Sequence, residues 1–189
     1  MARPRSRQCS SIRATWRREE LTRSGDHTIW RYAPLLPVAG RLDGPPVGWT
    51  PLVPGPKLAQ SLGVREILIK DDGRNPSASF KDRASAIALQ HAHENGHELV
   101  TGASTGNAAS ATAVLAAAVG MRTRIFVPRT APRAKIAQLL TFGAEVLAVD
   151  GTYDQAFDLC LEATRRYGWY NLNTGYNPYT REGKKSVSF

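Results

Sequence analysis

Cysteine is scarce in this 189-residue chain, and a long apolar run is missing. Two cysteines, Cys9 and Cys160, cannot build a disulfide framework, nor a zinc site on their own. They fit a reducing compartment, so a cytoplasmic location is expected. The longest nearly apolar stretch, Ala108 to Met121, is interrupted by Ser110 and Thr112. It is too short to span a membrane and reads as a buried helix. No RNA-binding aromatic motif and no helix-turn-helix pattern is visible, which argues against nucleic acid as a partner. What is present is ordinary for a soluble globular chain: 42% apolar and 22% charged residues. That composition excludes a wholly disordered or collagen-like chain. The length suits one ordinary domain or two small ones.

The formal net charge is +9, and its location matters more than its size. Residues 1–34 carry eight arginines against Glu19, Glu20 and Asp26. This segment reads as a basic N-terminal arm, solvated and poorly ordered. Its Arg/Ser-rich, acid-poor start also resembles an organellar transit peptide, though it is not strongly amphipathic. Residues 35–56 (LLPVAGRLDGPPVGWTPLVPGP) are too dense in proline and glycine for a long helix and read as an irregular lead-in.

From Lys57 the pattern alternates. Helices are expected at Lys57–Leu62, Ser79–Glu94, Thr105–Val119, Pro132–Phe142 and Tyr153–Tyr167. Strands are expected at Glu66–Lys70, the first read as buried, and at Glu98–Thr101, Thr123–Val127, Glu145–Val149 and Trp169–Leu172. Short apolar strands alternating with helices argue for βαβ units: an α/β fold with a parallel sheet and helices on both faces. Crossovers should be right-handed.

In such sheets ligands gather at the carboxyl ends of strands. Two strand-to-helix junctions stand out. The first runs from Lys70 to Arg83 (KDDGRNPSASFKDR). Ser79 can cap the following helix, with Asp82 completing a capping-box-like spacing. Lys81 then falls in the first turn, where the partial positive charge of the helix end makes an ammonium unfavourable. Taken alone, it also reads as a surface lysine. The second junction is Gly102–Asn107 (GASTGN). Helix-opening amides, two hydroxyls and a carboxamide form a natural anion cradle there. An ordinary capped helix start is the alternative. The alanines that follow read as core.

Together these segments resemble a known family. NPSASFKDR around Lys81, ASTGN around Asn107, GWTPLVP at Gly48–Pro54 and the late NPYTREGKK are similar to threonine synthase, a pyridoxal-phosphate enzyme of the tryptophan-synthase-β-like fold group. The resemblance covers roughly Leu35 to Phe189. It implies pyridoxal 5'-phosphate as cofactor and a small amino-acid substrate. It implies that Lys81 forms the internal Schiff base and later moves protons, and that Asn107 bonds the cofactor's phenolic oxygen. It implies that Ser104, Thr105 and Gly106 hold the substrate α-carboxylate, and that Asn173 and Thr174 face the substrate phosphate. The implied reaction converts O-phosphohomoserine and water to threonine and phosphate, and the implied full-length form is a homodimer. Neither a metal nor a membrane is implied.

The chain also departs from the pattern. It has no Gly-Gly pair, whereas the family holds the cofactor phosphate on a downstream glycine-rich loop. Residues 35–189 are therefore expected to be the N-terminal half of such an enzyme, and the 189-residue chain alone is expected to be inactive. Ala78 stands where the family usually has glycine. Thr180 stands where many members place an arginine, and Arg181 follows it. Cys160 reads as core. His91, His93 and His97 read as solvated residues near a helix end, and Glu182–Lys185 as a charged turn or helix opening. Two other functions remain open: a serine/threonine dehydratase-like or other β-replacement enzyme, and an inactive α/β remnant or interaction module.

Overall fold

In the computed structural model, which describes residues 24–189, β3 (Leu99–Ala103), β4 (Arg122–Pro128), β5 (Glu145–Val149) and β6 (Tyr170–Asn171) form one parallel sheet. Its order is β5-β4-β3-β6. Every neighbouring pair is parallel, as the alternation predicts. Residues of β4 alternate between two cores. Ile125 and Val127 face Ala109, Ala113 and Leu139, whereas Phe126 faces Ala156, Cys160 and Ala163. This period of two places helices on both faces. The first face is covered by α2 (Lys81–Glu94), α3 (Asn107–Ala118) and α4 (Arg133–Thr141), the second by α5 (Tyr153–Tyr167). Thr152 caps α5 in a full capping box with Gln155, and Gly168 ends it in the left-handed region.

The lead-in contributes more than irregular coil. β1 (Leu52–Pro54) pairs antiparallel with β2 (Leu68–Lys70), with α1 (Pro56–Leu62) between them. The expected buried strand at Glu66–Lys70 is corrected on two counts. It is shorter, and it belongs to this separate ribbon, where Leu68 and Ile69 are about half exposed. A three-residue apolar run, Ile67–Ile69, cannot by itself distinguish a core strand from an edge ribbon.

The basic arm also needs correction at its end. Ile29–Leu35 forms a 3₁₀ segment capped by Thr28. Ile29 is buried against Val47 and α2, and its amide donates to the Val47 carbonyl at 2.8 Å. Residues 1–23, including Cys9 and most of the arginines, lie outside the described residues. Among the described residues no helix is long and apolar enough to cross a membrane.

The last helix, α6 (Pro178–Lys185), starts with proline at N1 and the Asn177 side chain as its cap. Glu182–Lys185 is thus the end of a helix and not a turn. α6 lies directly on α2. A Cβ at Gly183 would fall 2.8 Å from Ala84 Cα and overlap the Arg83 carbonyl. Only glycine lets the two backbones approach this closely.

Candidate active site

The junction between β2 and α2 is held by buried polar groups. Arg83 is 1% exposed. Its Nε and Nη2 donate to Asp72 Oδ2 and Oδ1, both at 2.8 Å, Nη2 also reaches Thr50 Oγ1 at 3.1 Å, and Nη1 donates to the Ser186 carbonyl at 3.2 Å. Burial alone would raise Asp72, but the Arg83 guanidinium and the Thr50 hydroxyl outweigh it and hold the carboxyl below its usual value. Asp82 is fully buried, and its carboxylate accepts from Ser77 N at 3.2 Å and Ser77 Oγ at 2.7 Å. Burial pushes Asp82 up, against these bonds. The expected capping box is therefore displaced. The residue before α2 is Phe80, which makes no side-chain cap, while Ser79 Oγ accepts from Lys81 N at 3.1 Å.

Lys81 thus opens α2 with its backbone fixed by Ser79 and its neighbours Asp82 and Arg83 locked into the core. Its own side chain is only half-buried, and Nζ lies 5.3 Å from the centre of the Phe80 ring. No ion pair joins it to a carboxylate among the described residues.

Gly102–Asn107 leaves the carboxyl end of β3. Ser104 N donates to the Phe126 carbonyl, and Ser104 Oγ accepts from Gly106 N at 3.2 Å. This folds the loop back on itself before α3 starts at the exposed Asn107. The first amides of α3 have no intrahelical acceptor and point out of the helix end. At Gly106 a Cβ would meet nothing within 4 Å, so the space over the loop is open.

The two junctions are neighbours. Ser85 Oγ, one turn into α2, lies 3.3 Å from Thr112 Oγ1, five residues into α3. The helix starts carrying Lys81 and Asn107 therefore stand side by side on the same edge of the sheet. A cavity of about 350 Å³ borders the Arg83 cluster, lined by Thr50, Lys70, Arg83 and Ser186 together with Trp49 and Phe189, and neither Lys81 nor Asn107 lines it.

The β6–α6 loop completes this edge. Asn173 is buried, and its Oδ1 accepts from Ala103 N at 2.9 Å. Its carboxamide thus holds the strand end just before Ser104. Thr174 is exposed, and its Oγ1 accepts from Lys184 Nζ at 3.0 Å. Arg181 Nε donates to the Thr174 carbonyl at 3.2 Å. Thr180 is buried, with its hydroxyl donating to Asn177 O at 2.7 Å, so it faces the core and not the loop. Lys184 was not a sequence candidate. Had α6 been recognised, its spacing of four from Thr180 would have marked the same helix face.

Histidines and cysteine fall into structural places. His91 Nδ1 is 2.7 Å from Tyr170 OH, and its ring stacks on Tyr179 with centroids 3.4 Å apart. Burial lowers its pKa and pushes the Tyr170 phenol up to about 12. It is therefore an anchor between α2, β6 and α6 rather than a solvated helix-end residue. His97 packs its ring near Tyr170 at 5.1 Å. Cys160 is fully buried between α5 and β3, and burial pushes its thiol up.

The family described as pyridoxal-phosphate dependent enzyme matches residues 44–189. The chain belongs to this family. Its cofactor, pyridoxal phosphate, is the one implied by the SFKDR and STGN segments. Curated relatives include the threonine synthase of Synechocystis sp., 39% identical over 169 residues, and that of Methanocaldococcus jannaschii, 34% identical over 174 residues. The first match covers 85% of this chain and the second 90%, but each covers only 43% of the relative. The chain thus spans less than half the length of these enzymes. Among solved structures, threonine deaminase isoform 2 from Solanum lycopersicum is similar at 27% identity and a TM-score of 0.67, over 73% of this chain and 38% of that one. Maize serine racemase shares the fold, with a TM-score of 0.66 at 22% identity.

The residues present suit part of such a cofactor's site. Lys81 offers an amine with no ion pair among the described residues, Asn107 offers an exposed carboxamide, and the Ser104–Gly106 loop offers hydroxyls and helix-start amides beneath open space. This donor set matches a carbonyl-bearing, oxygen-rich, anionic group.

Proposed function

We propose that this chain carries the lysine-bearing half of a threonine synthase site, acting on O-phosphohomoserine and water to give threonine and phosphate. The observation that supports this most directly is the side-by-side placement of the Lys81 and Asn107 helix starts, through Ser85 and Thr112. The threonine synthase likeness supports the substrate.

Bound pyridoxal phosphate would supply an electron sink for carbanion charge. Every other task falls to protein groups. Lys81 would hold the cofactor covalently and then take and return a proton at substrate carbon, a role supported by its position at the start of α2, a helix that packs against α3 through Ser85 and Thr112. Asn107 would orient the cofactor by a hydrogen bond to its phenolic oxygen. The Ser104–Gly106 loop would bind the substrate α-carboxylate at the helix start, aiming the reacting C–H bond toward Lys81. Asn173 fixes that loop from behind by holding Ala103 N. Thr174, exposed beside it, would face the substrate phosphate. Homodimer formation by a longer form and a cytoplasmic location belong to the same reading and rest on the likeness alone.

The nearest other reading is a serine/threonine dehydratase-like activity, favoured by the fold and identity shared with threonine deaminase. A spectroscopic titration separates the two. The chain is loaded with pyridoxal phosphate and challenged with O-phosphohomoserine, homoserine, L-serine and L-threonine. A spectral change that requires the phosphate monoester supports the threonine synthase reading. A response to L-serine or L-threonine without one to O-phosphohomoserine contradicts it.

A further inference from the structure

The cavity beside the Arg83 cluster is lined by neither Lys81 nor Asn107, yet it has the make-up of a binding site. At about 350 Å³ it lies at the small end of ligand pockets, which run from about 300 to 1,000 Å³. Tyr32, Trp49 and Leu52 supply apolar wall, and Lys70, Arg83 and Ser186 supply polar wall. Apolar and aromatic surface with a few convergent polar groups is what small molecules bind.

The aromatic wall is fixed in place. Gly48, at φ 81°, runs so close to its neighbours that a Cβ would overlap Ile29 Cγ2 and fall 3.1 Å from Arg83 Nη1. Trp49 follows at φ 52°, in the left-handed region that a side chain disfavours. Its ring stacks on His27 with centroids 4.9 Å apart, and the Arg31 guanidinium lies 4.2 Å from the ring centre. Trp49 is nonetheless 48% exposed. A strained backbone that holds a large ring at a cavity wall suits a ligand clamp.

The two cations in the wall differ. Arg83 has its counter-ion in Asp72, whose two carboxylate oxygens are engaged by Arg83 and Thr50. Lys70 has no such partner. Among the described residues no carboxylate pairs with it, and its ammonium makes a long bond to the Thr50 carbonyl at 3.4 Å. An ammonium has three donors to offer. The Arg83 fork, which would suit a phosphate, is already turned to Asp72. One ammonium balances one charge, so a monocarboxylate fits and a phosphate dianion does not.

We propose that this cavity is a second ligand site that takes a small aromatic monocarboxylate, its carboxylate on Lys70 and its ring against Tyr32 and Trp49. The site stands apart from the one read around Lys81. Arg83, in the cavity wall, lies two residues after Lys81 on α2, so an occupant rests on the helix that presents Lys81.

The test titrates the 189-residue chain with 3-phenylpropionate by calorimetry at constant ionic strength. Saturable binding and a melting temperature that rises with ligand are expected. Lys70→Met should weaken binding about tenfold or more, because a charge-assisted hydrogen bond is lost. Trp49→Gly, which suits the left-handed backbone, should also weaken it about tenfold by removing the ring contact. Lys57→Met, on exposed α1, should leave it within about twofold. Neutral 3-phenylpropanol should bind the parent chain about tenfold more weakly and be indifferent to Lys70→Met. Propionate, which lacks the ring, should show no saturation. Circular dichroism melts separate loss of fold from loss of binding. If a variant melts early, the comparison of 3-phenylpropionate, 3-phenylpropanol and propionate on the parent chain still decides. Absence of saturable binding to the parent chain overturns the proposal. So does equal loss at Lys70 and Lys57, which would mean diffuse attraction to a basic chain. Loss on Ser104→Ala equal to that on Lys70→Met would put the carboxylate in the cradle after β3 and would overturn it too. The reading of Lys81 is tested separately, by borohydride trapping of the cofactor on Lys81.

Discussion

Arg83 grips Asp72 through two parallel hydrogen bonds of 2.8 Å, although the two residues belong to different elements. The pair ties the start of α2, where Lys81 sits, to the loop after β2. The same guanidinium also reaches Thr50 and Ser186. Four segments distant in sequence are thereby fixed around one buried cation.

Removing that cation should be costly. Arg83→Met strands a partly buried carboxylate and is expected to destabilise the chain by about 3–5 kcal/mol. Urea denaturation measures this, and an unchanged midpoint would show that the anchor is dispensable. The pair also sets an acid limb. Asp72 is depressed in the fold, so its stabilisation is present above the unfolded value of 3.8 and is lost as pH falls through the folded value. Asp82 works in the opposite sense. Its folded pKa is raised, so its contribution is fullest at low pH and declines as pH rises from 3.8 through the folded value. Asp72→Asn should remove stability at neutral pH that falls away on acidification, and Asp82→Asn should not reproduce that profile.

Gly183→Ala tests the contact of α6 with α2. The added methyl meets the Arg83 carbonyl and Ala84 Cα, both backbone, so one helix must shift. A loss of about 1–3 kcal/mol is expected from overpacking. Lys184 should move with α6, so its NMR signal should change as well. A variant with wild-type stability and an unperturbed Lys184 would mean that the two helices are not in such close contact.

Ala78 offers a gain in stability. Its φ is 55°, in the left-handed region that a side chain disfavours. Ala78→Gly should stabilise by up to about 1 kcal/mol, the left-handed relief being offset in part by backbone entropy. The glycine that the resemblance to threonine synthase leads one to expect at this place would suit the same backbone angle. A denaturation midpoint that falls on Ala78→Gly would contradict the assigned conformation.

Much of the parallel sheet could be read from spacing. Glu145–Val149 and Tyr153–Tyr167 match their expected bounds because clear stop signals, Gly143 and Gly168, flank them. The junctions bearing Lys81 and Asn107 were legible as polar loops at strand ends. Other parts depended on contacts that no local pattern encodes. The β1–β2 ribbon joins residues across α1, and its apolar side chains lie exposed, so periodicity gave it no distinct mark. Lys184 was hidden because Thr-Arg-Glu-Gly-Lys-Lys has weak helix signals, and α6 gains its stability by packing Gly183 on α2. Asn173 was expected to face substrate. Its carboxamide instead meets Ala103 N, seventy residues earlier in the chain.

The most direct measurement is the site of cofactor attachment. The chain is incubated with pyridoxal phosphate, reduced with borohydride, digested, and mapped by mass spectrometry. The chain has many amines, so the comparison is between rates of labelling at Lys81 and at exposed lysines such as Lys57. The account predicts that Lys81 is labelled fastest, that Lys81→Ala removes that label, and that Lys184→Met leaves it in place. Labelling spread evenly over the surface lysines, with Lys81 no faster than Lys57, would contradict it.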